Sequence, residues 1–240
     1  MGKFWDFSMQ ASGAGALTLY GEISDTSWFG DEVTPAAFLK DLEALGEIGA
    51  LDVYINSPGG DVFAGYAIYN ILRRHPARVT VHVDGLAASA ASTVAMAGDR
   101  IVMPAASMMM IHRAWTLACG DAARLLDIAA ELERVDGQLA QIYADRTGKA
   151  IEDIKALMAA ETWMTGAEAL EMGFCDEVEP NKRIAALCGP EALARYKHPP
   201  ELPSDGGESQ PVEDKSPQDG ERLAAQRRRF SLRQKILEEK

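Results

Sequence analysis

Three short segments contain side chains whose types and spacing could support chemistry. They read N-S-P-G-G-D at 56–61, G-L-A-A-S-A-A-S at 85–92 and M-M-M-I-H-R at 108–113. Together they offer the N–H groups of a glycine turn, a serine hydroxyl and an imidazole, which are the groups used to attack a carbonyl and stabilise its oxyanion. Taken singly, each has a plainer interpretation as a turn, a helix cap or a structural histidine. Only their joint occurrence points to catalysis.

Ser89 is the candidate nucleophile. It follows a predicted strand over 79–83 and lies at the start of a predicted helix over 88–97. The dipole at the start of a helix stabilises negative charge on an attacking oxygen, and the glycine and alanines around Ser89 leave room for a substrate chain. Ser92 follows one helical turn later, where we expect it to pack inside the helix.

His112 is the candidate base among four histidines. His75 and His198 precede prolines, and His82 lies within a predicted strand. Only His112 combines the end of an apolar strand with a nearby candidate nucleophile. The glycine turn at 58–60 follows another predicted strand, and its outward N–H groups suit a developing oxyanion.

The elements that must position these segments alternate between strand and helix. Apolar patterning predicts strands over 16–20, 51–55, 79–83, 100–103 and 108–111. It predicts helices over 35–45, 61–73, 88–97, 121–146 and 151–160, and one that begins at the capping box Thr165–Glu168 and ends at Gly173. This order is typical of an α/β domain with parallel strand pairs.

The helix over 121–146 has a narrow apolar seam. Its apolar positions are spaced by 3, 4, 3, 4 and 3 residues, namely Leu125, Ile128, Leu132, Val135, Leu139 and Ile142. This spacing is typical of a coiled coil rather than of a helix that packs broadly on a core. We therefore expect the helix to project from the domain and bind a partner. The alternative is that it packs on its own domain.

The composition is that of a globular protein, with 240 residues that are 47% hydrophobic and 25% charged. A net charge of −12 argues against a nucleic-acid partner. There is no run of about 18 apolar residues, so we expect no membrane span, and the first residues lack the apolar run of a signal peptide. Scattered single cysteines favour reduced thiols in a cytoplasmic protein over a disulfide or zinc site; they are Cys119, Cys175 and Cys188.

A change in composition after Tyr196 divides the chain. Residues 197–221 are rich in proline, glycine, serine and acidic residues, and residues 222–240 are basic. We expect one domain over 1–196, with regular structure from about residue 12, and a disordered acidic linker and basic tail over 197–240.

The three chemical segments, taken with their order and spacing, resemble the proteolytic subunit family of the Clp protease. The similarity runs over about residues 16–180 through Y-I-N-S-P-G-G at 54–60, A-G-x-x-I-Y at 64–69, G-x-A-A-S at 85–89, M-I-H at 110–112, T-G at 147–148 and E-A-L-E-M-G-F-C-D at 168–176. The resemblance implies an α/β fold of the Clp protease/crotonase type, a spiral of β-β-α units with a protruding helix.

The resemblance also implies roles for individual residues. Ser89 matches the nucleophile and His112 the general base, and the N–H groups of Gly60 and Ala90 match the oxyanion donors. The third triad member of the family is an aspartate. A gap-free count from the T-G at 147–148 places Glu161 at that position.

Glutamate at position 161 departs from the family pattern. A glutamate can orient a histidine as an aspartate does, with one more methylene of reach. Asp153 and Asp176 are the alternatives for this role.

The function implied by the resemblance is serine endopeptidase activity in a homo-oligomeric ring, which can stack on a second ring, without a metal or organic cofactor. The substrate would be a polypeptide. An AAA+ unfoldase, where used, would be a separate chain because the sequence has no phosphate loop. The short start and the extension at 197–240 resemble the phage and prophage branch, which processes capsid proteins during head maturation.

Three alternatives remain open at this point. A crotonase-type enzyme would bind acyl-CoA on a similar spiral without needing Ser89 and His112. A Ser-Lys peptidase would need a lysine near Ser89, yet no lysine lies between Lys40 and Lys149. A ring or scaffold subunit with an idle triad is the non-enzymatic alternative.

Overall fold

The computed structural model describes residues 5–23, 35–180, 196 and 198. Its strands are β1 (Trp5–Met9), β2 (Gly15–Tyr20), β3 (Ala50–Ser57), β4 (Arg78–Ala88), β5 (Arg100–Pro104), β6 (Met108–Ile111), β7 (Thr162–Thr165) and β8 (Glu177–Glu179). Its helices are α1 (Pro35–Glu43), α2 (Val62–Arg74), α3 (Ala90–Ala95), α4 (Ala122–Thr147), α5 (Ile151–Ala159) and α6 (Gly166–Met172). Apart from His198, the predicted linker and tail over 197–240 lie outside the described residues.

One mixed sheet of eight strands organises the described chain. Its main path runs β1-β2-β3-β4-β5-β8, and β6 pairs with both β4 and β7. The β1–β2 and β6–β7 pairs are antiparallel, and the others are parallel. The predicted α/β architecture with parallel strand pairs is therefore confirmed.

The long strand β4 connects the centre of the sheet to the site region. Its first half pairs with β5 over Thr80–His82, and its last residues pair with β6 over Leu86–Ala88. The sequence predicted that this strand ends at residue 83 and that the next helix begins at 88, and both bounds are wrong. The small residues after 83 resemble a turn, but they continue the strand and pair with β3 and β6. Ala87, for example, pairs with Ser57 of β3 and Met109 of β6.

The core lies between the sheet and the helices packed on it. Alternate side chains of β2, β3 and β4 are completely buried, as at Leu17, Val53 and Val81. Strand β1 was not predicted, although Trp5 and Phe7 alternate with polar residues and Trp5 is buried. A four-residue strand such as β7 has too short a pattern to be distinguished from a loop.

Helix α4 divides into two halves of different environment. Leu139 and Tyr143 in its second half are buried in the domain, whereas Leu125 and Leu126 in its first turns are 44% and 71% exposed. Neither projection toward a partner nor packing on its own domain describes the whole helix. The second half packs on its own domain, and the first half presents apolar side chains outward.

Membrane-spanning helices and metal-holding side-chain groups are both absent from the described residues. Within them, no helix is at once long and apolar enough for a membrane crossing. In the same part of the chain, no three side chains of His, Cys, Asp or Glu are grouped so that they could hold a metal ion.

Candidate active site

Ser89 lies at the junction between β4 and α3 in an unusual backbone conformation. Its φ of 55° and ψ of −126° place it in a region that residues with side chains rarely occupy. The backbone N–H donates to the Met110 carbonyl of β6 at 2.9 Å. The hydroxyl makes no capping bond to α3. Instead, Ser89 Oγ lies 2.8 Å from His112 Nε2.

His112 follows the last residue of β6, and the segment after it is tied to α4. The N–H of Ala114 donates to Asp136 Oδ1 at 2.7 Å, and the Arg113 guanidinium lies 3.8 Å from the same carboxylate. Burial raises the pKa of Asp136, while the Ala114 bond and the charge of Arg113 act in the opposite direction. This attachment holds the chain at His112 against the buried half of α4.

The glycine turn packs directly against the serine. A side-chain carbon at Gly59 would lie 2.7 Å from the Ser89 Cβ, and one at Gly60 would lie 2.0 Å from the Ile23 carbonyl oxygen. Both glycines also have positive φ, of 87° and 150°. Only glycine therefore allows this approach of the turn to Ser89.

The N–H groups of Gly60 and Ala90 are the two predicted oxyanion donors. On either side of Gly60, the Gly59 carbonyl accepts from the Ile23 N–H, and the Asp61 N–H donates to the Ile23 carbonyl. Because backbone groups alternate sides along an extended segment, the Gly60 N–H points away from Ile23. Ala90 is the first residue of α3, so its N–H has no acceptor within the helix.

A pocket of about 430 Å³ opens beside the serine. Ser89, His112, Gly60 and Ala90 all line it. One wall consists of apolar residues of α4, namely Ile128, Leu132, Val135 and Leu139. The structure thus brings four of the five predicted site residues to a single concave surface with an apolar side.

Glu161 lies at the start of β7, close to the His112 end of β6. The β6–β7 ladder ends at the pair Ile111–Thr162, so His112 and Glu161 are the residues next to its last pair. Glu161 is buried and has a positive φ of 52°. Its Oε1 accepts from the backbone N–H of His198 at 2.7 Å and from Trp163 Nε1 at 3.4 Å.

The two alternative acids lie elsewhere. Asp153 lines a separate pocket on α5 together with Lys149. The Asp176 carboxylate accepts from the Ile101 N–H at 2.7 Å and forms an ion pair with Arg146. Neither is among the described residues that line the Ser89 pocket. The contacts of Asp176 indicate a structural role.

Other predictions about this region have clear outcomes. Ser92 packs inside α3 as expected, where its Oγ donates to the Ser89 carbonyl and lies 2.9 Å from the Tyr143 hydroxyl. The capping box at Thr165–Glu168 is present and Gly173 ends α6 in the left-handed conformation, so both are confirmed.

Sequence reasoning missed Trp163 and Tyr196. The Tyr196 ring meets the His112 ring edge-on, with centroids 5.5 Å apart, and also meets Trp163. No local motif marks either residue, because their contacts arise from long-range packing.

Comparisons with known proteins point to one family. The family model described as Clp protease matches residues 14–182. The chain is 36% identical over 137 residues to the ATP-dependent Clp protease proteolytic subunit of Porphyromonas gingivalis, which covers 55% of this chain and 61% of that protein. It is 35% identical over 131 residues to the subunit of the same name from Chlorella vulgaris, with 53% and 65% covered.

A third relative, from Bacteroides fragilis, has the same name and is 37% identical over 131 residues, with 53% of this chain and 63% of the relative covered. The chain thus spans less than two thirds of the length of these relatives. The family model, however, matches well over half of the chain, including Gly60, Ser89, Ala90, His112 and Glu161. The chain therefore belongs to the Clp protease family.

Proposed function

We propose that the chain is a serine endopeptidase with Ser89 as nucleophile, His112 as general base and Glu161 as the residue that orients His112. The observation that supports this most directly is the 2.8 Å separation of Ser89 Oγ and His112 Nε2 beside a substrate-sized pocket. That distance is within hydrogen-bond reach, as proton transfer from an attacking hydroxyl requires.

The proposed reaction proceeds through an acyl-enzyme. His112 Nε2 takes the proton from Ser89 Oγ as the oxygen attacks the peptide carbonyl, and the N–H groups of Gly60 and Ala90 stabilise the resulting oxyanion. The C–N bond then breaks, and His112 gives the proton to the leaving amine. A water attacks the ester in the same way, which releases the carboxylate product and restores Ser89.

The position of Glu161 supports its proposed role. His112 and Glu161 both lie next to the last pair of the β6–β7 ladder, Ile111–Thr162, so their backbones are neighbours. A carboxylate beside the imidazole can accept from Nδ1–H of His112. It would hold the tautomer that leaves Nε2 free to take the serine proton.

The proposed substrate is a polypeptide with an apolar side chain near the scissile bond. The α4 wall of the pocket supplies a surface for such a side chain through Ile128, Leu132 and Val135. An acyl-CoA substrate gains no support from the site, because crotonase-type chemistry does not need a serine paired with a histidine.

The proposed assembly is a homo-oligomeric ring, which can stack on a second ring. The exposed Leu125 and Leu126 of α4 support it, and so does the word "subunit" in the names of the relatives. Those names also include "ATP-dependent", so an AAA+ unfoldase on a separate chain is one proposed partner. The exposed Cys119 and the buried Cys175 are free thiols, in keeping with a cytoplasmic location.

A role in phage head maturation is the finer part of the proposal, with a capsid protein as substrate. It rests on the resemblance to the phage and prophage branch. Co-expression with the capsid protein encoded next to the gene, followed by a gel, tests it. A shortened capsid band with the wild type and not with Ser89→Ala is expected, and an intact band in both would overturn it.

Labelling by a fluorophosphonate tests the proposed activity. The probe should attach to Ser89 of the wild type and fail to attach to Ser89→Ala, while hydrolysis of a peptide falls on the order of a millionfold. Ser92→Ala is the matched control one helical turn away, and it should still be labelled. Equal labelling of wild type and Ser89→Ala would exclude Ser89 as nucleophile, and a folded wild type without any labelling would favour an idle scaffold subunit.

A further inference from the structure

Tyr196 contacts the site from beyond the segment that the family model matches, which ends at residue 182. The side chain is 7% exposed. Its ring lies edge-on to His112 and to Trp163, with centroid separations of 5.5 Å and 5.6 Å. Its hydroxyl donates to the Pro58 carbonyl, immediately before the two glycines of the turn. One residue thus touches both the base and the turn that supplies an oxyanion donor.

His198 contacts the third part of the site. Its backbone N–H donates to Glu161 Oε1 at 2.7 Å, whereas its side chain is exposed. The same carboxylate oxygen accepts from Trp163, whose ring also packs on Tyr196. Tyr196 and His198, here called the C-terminal clasp, therefore contact the glycine turn, His112 and Glu161 together.

We propose that the C-terminal clasp positions the catalytic groups and that Tyr196 is a positioning residue for His112. This inference rests on the proposed function. His112 follows a strand of only four residues, so the strand alone restrains its ring weakly. A tyrosine ring tethered to the Pro58 carbonyl blocks rotation of the imidazole away from Ser89.

The second contact of the clasp acts on the carboxylate. A charged carboxylate in a buried place needs hydrogen-bond donors to stay oriented. The N–H of His198 supplies one of them to Glu161 Oε1 and limits rotation of the carboxylate. Misplacement of reacting groups by about 1 Å costs on the order of 10²-fold in rate, so loss of the clasp should slow chemistry more than binding.

Variants of Tyr196 in the full chain separate the ring from the hydroxyl. Tyr196→Ala should reduce the rate of fluorophosphonate labelling about 10²-fold, lower kcat more than it changes KM, and move the midpoint of the labelling rate against pH. Tyr196→Phe keeps the ring and should restore most of the rate. Tyr54→Phe is the matched control on the outer face of β3 and should behave as the wild type.

Variants of His198 isolate the backbone contact. His198→Pro removes the N–H donor, whereas His198→Ala keeps it, so labelling should be slower in the proline variant than in the alanine variant. Hydrogen exchange of the wild type should show protection at the amide of residue 198, and Glu161→Ala should remove that protection.

The outcomes distinguish this inference from the proposed function. Two results would overturn the positioning role of the clasp and leave the Ser89–His112 pair intact. One is an unprotected amide at residue 198. The other is labelling of Tyr196→Ala at the wild-type rate with an unchanged pH midpoint. A wild type that resists labelling would overturn the proposed function and, with it, the positioning role. Protection at 198 together with slow, Phe-rescued labelling supports both.

Discussion

At the scale of single residues, Glu161 is the acid proposed to orient His112, and it lies next to the last β6–β7 pair, Ile111–Thr162. Glu161→Gln keeps the shape of the side chain but can stabilise the wrong histidine tautomer, and the comparable change in a serine protease costs about 10⁴ in turnover. Glu161→Asp shortens the arm by one methylene and should retain partial activity. Peptide hydrolysis should therefore decrease from wild type to Asp to Gln.

Asp153→Asn supplies the control for this series. Asp153 lies on α5 in a separate pocket, so its replacement should leave hydrolysis unchanged. If Glu161→Gln matches the wild type while Asp153→Asn or Asp176→Asn is inactive, the third member of the triad must be reassigned. The pairing of Ser89 with His112 would survive that result.

Local motifs identified segments that the structure brings together. The serine, the histidine and the glycine turn each follow a buried strand, and Ser89, His112 and Gly60 line one pocket. The catalytic roles of these residues and of Glu161 stay predictions. Tyr196 and Trp163 escaped prediction because no spacing along the chain reveals which aromatic rings meet across the fold.

At the scale of elements, Tyr143 joins α4 to α3. Its hydroxyl lies 2.9 Å from Ser92 Oγ and 3.1 Å from Thr93 Oγ1, and the side chain is 1% exposed. Tyr143→Phe removes the shared partner of two buried hydroxyls, so we expect the free energy of unfolding to fall by about 1–3 kcal/mol. Urea denaturation measures this, and a change within error would show that the hydroxyls find other partners.

Element prediction failed where small side chains or short strands carry the pairing. The run at 85–88 resembles a turn because its glycine and alanines have low strand propensity. In the fold these residues are buried, Ala87 pairs with both β3 and β6, and β4 continues to Ala88. Pairing with strands that are distant in sequence overrides the low local strand propensity there. Pairing with β6 likewise accounts for the short strand β7.

At the scale of the whole molecule, we expect the exposed half of α4 to form contacts in the proposed oligomer. Leu126→Asp places a charge on a residue that is 71% exposed, so the fold should persist while light scattering reports a smaller species. Leu139→Asp is the contrasting variant. Because Leu139 is 5% exposed within its own domain, an unpaired charge there should destabilise the fold itself.

Light scattering and circular dichroism on Leu126→Asp and Leu139→Asp test these two expectations. Circular dichroism separates loss of fold from loss of assembly. An unchanged mass for a folded Leu126→Asp would remove α4 from the proposed interface. A stable, folded Leu139→Asp would contradict the burial of the second half of the helix.

The backbone at Ser89 has a consequence for how the protein can evolve. Conformations of this kind cost about 1–3 kcal/mol in a residue with a side chain, and φ of 55° with ψ of −126° is one that glycine adopts freely. Ser89→Gly should therefore raise the melting temperature while abolishing hydrolysis, whereas Ser92→Gly inside α3 should lower it. A library selected only for heat resistance would accumulate glycine at position 89. Under the proposed function, only selection for turnover would keep serine there. An unchanged or lower melting temperature in Ser89→Gly would show that serine at this position does not destabilise the fold.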